Sequence, residues 1–222
     1  KHAGLLLALS HFAAQDPNNL ATEIGLAIKG EYIDDVPNQA IQWSGMQAYN
    51  AGDFSNTARF MKIVANPDEP RVTPKEIWRY LAKSLIETGK PEDALPALAN
   101  VLDVEENPAW KADALLDRAR ALYDLKRFGE SRKTADEALA LQPQGRTSAY
   151  LRIVSGNLHI QEENIGQAAA DYLYVINFHD DADLKPLAIH KYIAVLETQG
   201  KADEAAKFKL QLAKDFPKWK AP

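Results

Sequence analysis

The stretch that decides the fold is WRYLAKSLIETGKPEDA, residues 78–94. Its apolar residues recur three and four positions apart, the spacing that places side chains on one face of an α-helix. The segment Gly89-Lys90-Pro91 interrupts this pattern. A proline just inside the next apolar run suits the free N–H groups at the start of a new helix. The stretch therefore predicts two helices joined by a tight corner.

The same corner recurs along the chain at an interval of 37 residues. Gly52, Gly89 and Gly200 keep this interval, and Lys126 and Glu163 hold the two positions between them. Counted from the first residue, the interval divides the 222 residues into six units: 1–37, 38–74, 75–111, 112–148, 149–185 and 186–222. No segment alternates like a β-strand. One helical hairpin cannot bury its own apolar face, so we expect the six hairpins to stack and share a core.

Two positions of this register are occupied almost entirely by small residues. Position 8 holds Ala8, Gly45, Ala82, Ala119, Gly156 and Ile193. Position 20 holds Leu20, Thr57, Ala94, Ser131, Ala168 and Ala205. Small side chains at two fixed points predict that the two helices of each unit approach closely where they cross.

The placement of these residues resembles that of tetratricopeptide repeats. The residues that show it best, at positions 4, 7, 8, 11, 15 and 20, are Trp78, Leu81, Ala82, Leu85, Gly89 and Ala94. Prolines at position 32, Pro143 and Pro217, extend the resemblance over residues 38–217. It implies an all-α fold, a right-handed α-solenoid of about six helix-turn-helix hairpins in a single domain over residues 1–222. The unit is longer than the usual repeat of about 34 residues.

The family resemblance implies a protein-interaction scaffold whose first helices line a concave groove for a partner peptide or helix. Carried over position by position, the partner-binding residues are Gln42, Trp43, Met46, Tyr49, Arg79, Tyr80, Lys83, Arg120, Tyr123, Ile153 and Asn157. The function implied is the binding of a protein or peptide partner, with a role in bacterial envelope assembly. The alternative is a structural spacer in a larger protein whose activity lies upstream of residue 1.

Two features of the predicted groove have competing interpretations. Position 12 is aromatic or apolar in five units, which would anchor a partner's apolar side chains or pack against the next unit. Arg79, Lys83 and Arg120 share one predicted face and would bind carboxylates. Acidic neighbours within one helical turn, including Asp117, would instead pair with them locally.

Composition excludes several functional classes. The net charge of −5 argues against a nucleic-acid binder, which needs a positive surplus. The absence of cysteine excludes disulfides, zinc-thiolate sites and iron–sulfur clusters. No apolar run is long enough to cross a membrane. No phosphate-binding loop, dinucleotide-binding fingerprint or nucleophile elbow is present, so we expect no enzyme activity, no catalytic residue and no cofactor.

One cluster could bind a metal ion. His179, Asp181 and His190 offer imidazole and carboxylate ligands for a divalent cation. Because His179–Asp183 links two units, its carboxylates could equally cap the following helix. The second interpretation is favoured, and we predict no metal site.

The ends and the composition suggest a source and a compartment. The chain begins at Lys1, and its apolar opening lacks the small residue expected before a signal-peptide cleavage site. We expect a buried first helix covered by something N-terminal to it, as in a fragment of a longer protein. The composition looks bacterial, and we expect the periplasm or cell envelope, with the cytoplasm as the alternative.

Overall fold

The computed structural model describes residues 2–221 and is all-helical over that range. The described residues contain twelve α-helices and one short 3-10 helix, Ile33–Asp35. The α-helices are α1 (His2–Ala13), α2 (Pro17–Lys29), α3 (Asn38–Asn50), α4 (Phe54–Val64), α5 (Lys75–Glu87), α6 (Pro91–Val104), α7 (Pro108–Asp124), α8 (Phe128–Ala140), α9 (Gly145–Gln161), α10 (Ile165–Phe178), α11 (Leu184–Thr198) and α12 (Ala202–Asp215).

The helices form stacked hairpins in two compact units, Lys1–Glu105 and Glu106–Pro222. The first unit contains α1 to α6 and the second α7 to α12. Within each unit every helix packs against the next, and the first helices of neighbouring hairpins also touch, as in α1 with α3 and α9 with α11. This is the predicted all-α arrangement of helical hairpins. The organisation of residues 1–222 as a single domain stays a prediction.

A residue with left-handed backbone stands at the corner of every hairpin. These residues are Gln15, Gly52, Gly89, Lys126, Glu163 and Gly200, each 37 positions after the one before. Glycine adopts this conformation without steric cost, which explains three of the six. The helix that follows each corner therefore begins at the same interval, as α2, α4 and α6 do at Pro17, Phe54 and Pro91.

The first helices of the hairpins do not keep the 37-residue interval. α7 begins at Pro108, 33 residues after α5 begins at Lys75, and α11 begins at Leu184, 39 residues after α9 begins at Gly145. The unit boundaries placed at residues 112, 149 and 186 consequently fall inside α7, α9 and α11. The predicted unit boundaries at 112, 149 and 186 are therefore wrong, although the corners themselves recur every 37 residues.

The predicted close crossing is confirmed in the α3–α4 and α7–α8 hairpins. A Cβ added to Gly45 would lie 2.7 Å from the Cε of Met61 on the second helix. The hydroxyl of Thr57 on α4 also donates to the carbonyl oxygen of Gly45, at 3.3 Å. Ser131 repeats this bond in the second unit, where its hydroxyl donates to the carbonyl oxygen of Ala119 at 2.7 Å. Small residues at positions 8 and 20 thus bring the two backbones together, and hydroxyls there bond across the gap.

Candidate partner-binding surface

Four aromatic side chains of the first unit form a row along its first helices. Phe12 of α1 contacts Trp43 of α3 edge to face, with ring centroids 5.9 Å apart. Tyr49 of α3 contacts Tyr80 of α5 in the same way, at 4.9 Å. All four side chains are half-buried. This aromatic row, Phe12, Trp43, Tyr49 and Tyr80, joins each first helix to the next.

The aromatic row therefore packs between hairpins and also retains accessible surface. Tyr49 packs on the hairpin's own second helix as well, with its ring 5.6 Å from that of Phe54. Edge-to-face pairs of this kind stabilise by about 0.5–1.5 kcal/mol beyond the area they bury. The packing interpretation of position 12 is confirmed for Phe12 and Tyr49. Their half-burial leaves the anchoring interpretation open.

The other predicted contact residues of the first unit lie beside this row. Gln42, Met46 and Tyr49 are spaced four and three residues apart on α3, which places them on one face. Arg79 and Lys83 are four apart on α5 and share a face in the same way. All five side chains are half-buried. The first unit thus combines aromatic, thioether and cationic groups on its first helices.

Arg120, the predicted carboxylate-binding residue of the second unit, contacts two side chains of the chain itself. Arg120 of α7 lies 3.5 Å from the carboxylate of Asp117, one helical turn earlier, and Asp117 is buried. The guanidinium carbon of Arg120 also lies 4.6 Å from the ring centroid of Tyr150 on α9. Local pairing, the second interpretation of this cation, is confirmed for Arg120. A partner carboxylate would have to compete with Asp117.

Tyr123 and Asn157 are also held by neighbours in the second unit. The ring of Tyr123 lies 5.3 Å from that of Phe128 across the corner of its hairpin. Burial raises the pKa of the Tyr123 hydroxyl, and a hydrogen bond with Gln161 opposes that rise. The hydroxyl of Tyr172 donates to the side-chain oxygen of Asn157 at 2.8 Å. Both residues are half-buried and have a structural role in addition to any contact with a partner.

Ile153 does not face the surface, and the structure corrects its placement in the groove. Its side chain is 1% exposed and lies in the core cluster of the second unit. Ala149, Ile153 and Gly156 are four and three residues apart, so they occupy one face of α9. That face packs against α10 and α11. We therefore remove Ile153 from the candidate surface.

An ionic cluster between α9 and α10, centred on the buried Asp171, was not predicted from the sequence. Asp171 is 5% exposed and accepts from the Nη1 of Arg152 at 2.9 Å. Its other oxygen lies 2.9 Å from the Nδ1 of His159. The guanidinium of Arg152 also lies over the ring of Tyr174. The available signal was Arg152 itself, a charged residue at a position that is otherwise apolar in the register.

The residues of the hypothetical metal cluster have separate roles. Asp181 accepts from the backbone N–H groups of Asp183 and Leu184, at 3.0 and 2.9 Å, and so caps α11. Arg146 pairs with the same carboxylate. His190 instead packs against Trp219, with ring centroids 5.7 Å apart. The capping interpretation is confirmed. Between residues 2 and 221, no three imidazole or carboxylate groups converge as metal ligands would.

Comparison with known proteins supports the repeat assignment. Residues 85–156, about a third of the chain, match the tetratricopeptide repeat family. No curated protein sequence matches the chain. Over the described residues, no helix is both long enough and apolar enough to span a membrane.

Three solved structures are similar along most of the chain. BtubC (BKLC) from P. vanneervenii superposes with a TM-score of 0.63 at 15% identity, covering 100% of this chain and 92% of that one. MamA gives 0.60 at 21%, covering 79% and 97%. TTC0263, a thermophilic TPR protein from Thermus thermophilus, gives 0.52 at 18%, covering 86% and 97%. At these identities the likeness shows the fold, an α-solenoid of helical hairpins.

Proposed function

We propose that this chain, a helical-repeat protein with tetratricopeptide repeats over residues 85–156, binds a partner peptide or helix along its first helices. The fold is one that typically serves protein–protein interaction without catalysis. The observation that supports the proposal best is the half-exposed aromatic row of the first unit. Aromatic side chains with two rotatable bonds bury much area at low entropic cost, which makes them common interface hot spots.

The chemistry of the surface defines the partner. Trp43, Met46 and Tyr80 offer apolar and polarisable surface to leucine-like or aromatic side chains. Arg79 and Lys83, one turn apart on α5, supply positive charge beside that surface. A segment with apolar side chains and a nearby carboxylate fits both features. We place the main contact in the first unit, because the half-buried aromatic rings of Trp43 and Tyr80 lie there.

The proposal is tested by selecting peptides from a displayed random library on the folded chain. The affinity of each selected peptide is then measured against variants by fluorescence polarisation. Met46→Glu puts a carboxylate beside the aromatic row, at a half-buried position of α3. We expect it to weaken binding at least about tenfold, since hot-spot changes cost about 2 kcal/mol or more. Trp43→Ala should have a similar or larger effect.

The matched control for Met46→Glu is Leu210→Glu, because Leu210 is an exposed apolar residue of α12, far along the chain. Circular dichroism and thermal melting establish that each variant is folded. If peptides bind Met46→Glu and Trp43→Ala as tightly as the unchanged chain, the surface is wrongly assigned. If the library yields no peptide that binds, the spacer role becomes the better account. The spacer role is favoured by contacts within the chain: Arg120 pairs with Asp117, and the ring of Tyr123 packs against that of Phe128.

The bacterial envelope is the compartment we propose for this function, with the cytoplasm as the alternative. This part of the proposal is based on composition. Cell fractionation with an antibody against the chain tests it directly, since an envelope protein should separate from a cytoplasmic marker enzyme.

A further inference from the structure

A polar groove lies between two second helices of the first unit, α2 and α4. It encloses about 420 Å³, which is within the size range of small-ligand sites. One wall is a stripe of α2 that runs from Asn18 to Lys29 at helical spacing. The other wall is formed by Asp53, Asn56 and Arg59, at the start of α4. The groove therefore has walls from two neighbouring hairpins.

A glycine leaves open space in the middle of this groove. A Cβ added to Gly25 of α2 would lie 3.8 Å from the Nη1 of Arg59, which reaches across from α4. Over the described residues, no other atom outside the helix of Gly25 lies within 4 Å of that point. Lys29 follows Gly25 by one helical turn, on the same face of α2. A guanidinium and an ammonium group thus border the space above Gly25.

The charges that line the groove favour an anion. Between residues 2 and 221, neither Lys29 nor Arg59 lies within ion-pair distance of an acidic side chain. The carboxylate of Asp53 is engaged in capping α4, because its oxygens accept from the backbone and side-chain N–H groups of Asn56, at 3.0 and 2.7 Å. The groove is thus locally positive in a chain whose net charge is −5. Two cations at one point suit a dianion such as phosphate.

Hydrogen-bond acceptors lie one helical turn from the cations. The hydroxyl of Thr22 donates to the carbonyl oxygen of Asn18 at 3.0 Å, so its oxygen is left to accept. The side-chain N–H of Asn56 is used within the α4 cap, which leaves its amide oxygen to accept as well. Thr22 precedes Gly25 by one turn, and Asn56 precedes Arg59 by one turn. Hydroxyl groups of a ligand would donate to these two oxygens.

We propose that the groove between α2 and α4 binds a small phosphate monoester that carries hydroxyl groups. The phosphate lies above Gly25, where Arg59 donates to two of its oxygens and Lys29 adds a second positive charge. The hydroxyl groups donate to Thr22 and Asn56. A phosphate monoester fits better than a carboxylate, because it carries nearly two charges at pH 7 and three acceptor oxygens. The site lies on second helices, so it is independent of the peptide-binding surface proposed for the first helices.

The test uses glucose 6-phosphate as the probe, titrated at low salt into the isotope-labelled chain and followed by two-dimensional NMR. The amide signals of Gly25 and Arg59 should move most, with a dissociation constant of about 1 mM or below. Inorganic phosphate should bind more weakly, because it lacks the hydroxyl groups. Gluconate has the hydroxyl groups but a single carboxylate, and it should bind at least about tenfold more weakly. Glucose should not bind.

Three variants examine the site itself. Arg59→Gln and Lys29→Gln each remove one exposed cation and should weaken binding of glucose 6-phosphate at least about tenfold. Gly25→Leu fills the open space without changing the charge and favours the helix, so it should abolish binding in a folded chain. The matched control is Lys133→Gln, because Lys133 is exposed on α8 at the register position of Arg59. It should bind like the unchanged chain.

Several outcomes would overturn the proposal. The site is refuted if glucose 6-phosphate shifts no signal of the unchanged chain at about 20 mM, twenty times the expected constant. It is also refuted if Lys133→Gln weakens binding as much as Arg59→Gln, since affinity would then follow net charge alone. Binding of gluconate as tight as that of glucose 6-phosphate would contradict the phosphate assignment. Circular dichroism should show the same helicity for all four variants.

Discussion

The ring of Tyr172 on α10 lies directly against the Cα of Gly156 on α9. A Cβ added to Gly156 would lie 2.6 Å from ring atom Cε1 and 2.8 Å from Cζ. The ring is also fixed at its far end, because its hydroxyl donates to Asn157. Tyr172 is 1% exposed and lies in the core cluster of the second unit. This crossing holds the α9–α10 hairpin together.

Gly156→Ala should destabilise the chain by up to about 2 kcal/mol. Alanine favours the helix over glycine by about 1 kcal/mol, but overpacking a filled core costs more than that. Urea unfolding followed by circular dichroism gives the free energy of unfolding. The control is Gly166→Ala in α10, where nothing lies within 4 Å of the added Cβ. That variant should be equal to or more stable than the unchanged chain, and equal losses for both would refute the packing account.

Asp171→Ala should destabilise the second unit by about 1–2 kcal/mol. The change leaves the guanidinium of Arg152 without the carboxylate that accepts its hydrogen bond at 2.9 Å. The side chain of Arg152 is 37% exposed, so water partly replaces the lost carboxylate and limits the cost. The measurement is again the free energy of unfolding in urea.

The matched experiment is a double-mutant cycle that combines Arg152→Met with Asp171→Ala. Removing both charges should cost less than the sum of the two single changes, because neither partner is left unpaired. Strict additivity would show that Arg152 and Asp171 are not coupled.

Glu162→Gln should reduce the sensitivity of the chain to acid. Hydrogen bonds from Arg132, at 2.9 and 3.0 Å, hold the pKa of Glu162 below its usual value of 4.5. A lowered pKa in the folded state contributes stability above pH 4.5, and this contribution is lost as the pH falls through the folded-state pKa. Because Glu162 is half-exposed, solvent screening limits the contribution of this ion pair to the free energy of unfolding to about 0.5 kcal/mol.

The measurement is the urea midpoint at pH 7 and at pH 3. The unchanged chain should have a higher urea midpoint than Glu162→Gln at pH 7, and this difference in midpoint should be smaller at pH 3. Glu163→Gln, one residue further on, is the control and should follow the unchanged chain at both values. If the difference in midpoint were larger at pH 3 than at pH 7, the stabilising role of this ion pair would be contradicted.

Lys126→Gly should stabilise the chain by about 0.5–1 kcal/mol. Lys126 holds a left-handed φ of 59° at the corner where Gly52, Gly89 and Gly200 stand in other hairpins. A non-glycine residue in this conformation costs about 1–2 kcal/mol, part of which the greater freedom of glycine in the unfolded chain offsets.

The reverse change, Gly89→Ala, should destabilise by a similar amount. No atom lies within 4 Å of the added Cβ, so the cost comes from the backbone conformation alone. Thermal melting of the two variants measures both effects. A neutral result for both would mean that the corners relax to another conformation.

The sequence by itself determined the helices, their corners and the close crossings. These features depend on local spacing: apolar residues three and four apart, a residue tolerant of left-handed backbone at each corner, and small residues at positions 8 and 20. Which residues face a partner depends on how each helix is turned against its neighbours, and that is a non-local property. For the same reason, α7, α9 and α11 begin before the starts that the 37-residue interval predicts for their units.

Only the tertiary structure decided the state of individual side chains. It placed Ile153 in the core although the repeat pattern put it in the groove, and it paired Arg120 with Asp117. It also showed that Arg152 at an apolar position is matched by Asp171 on the next helix. A charge on one helix finds its partner through packing between helices, and no spacing within one helix specifies which residue of another will meet it.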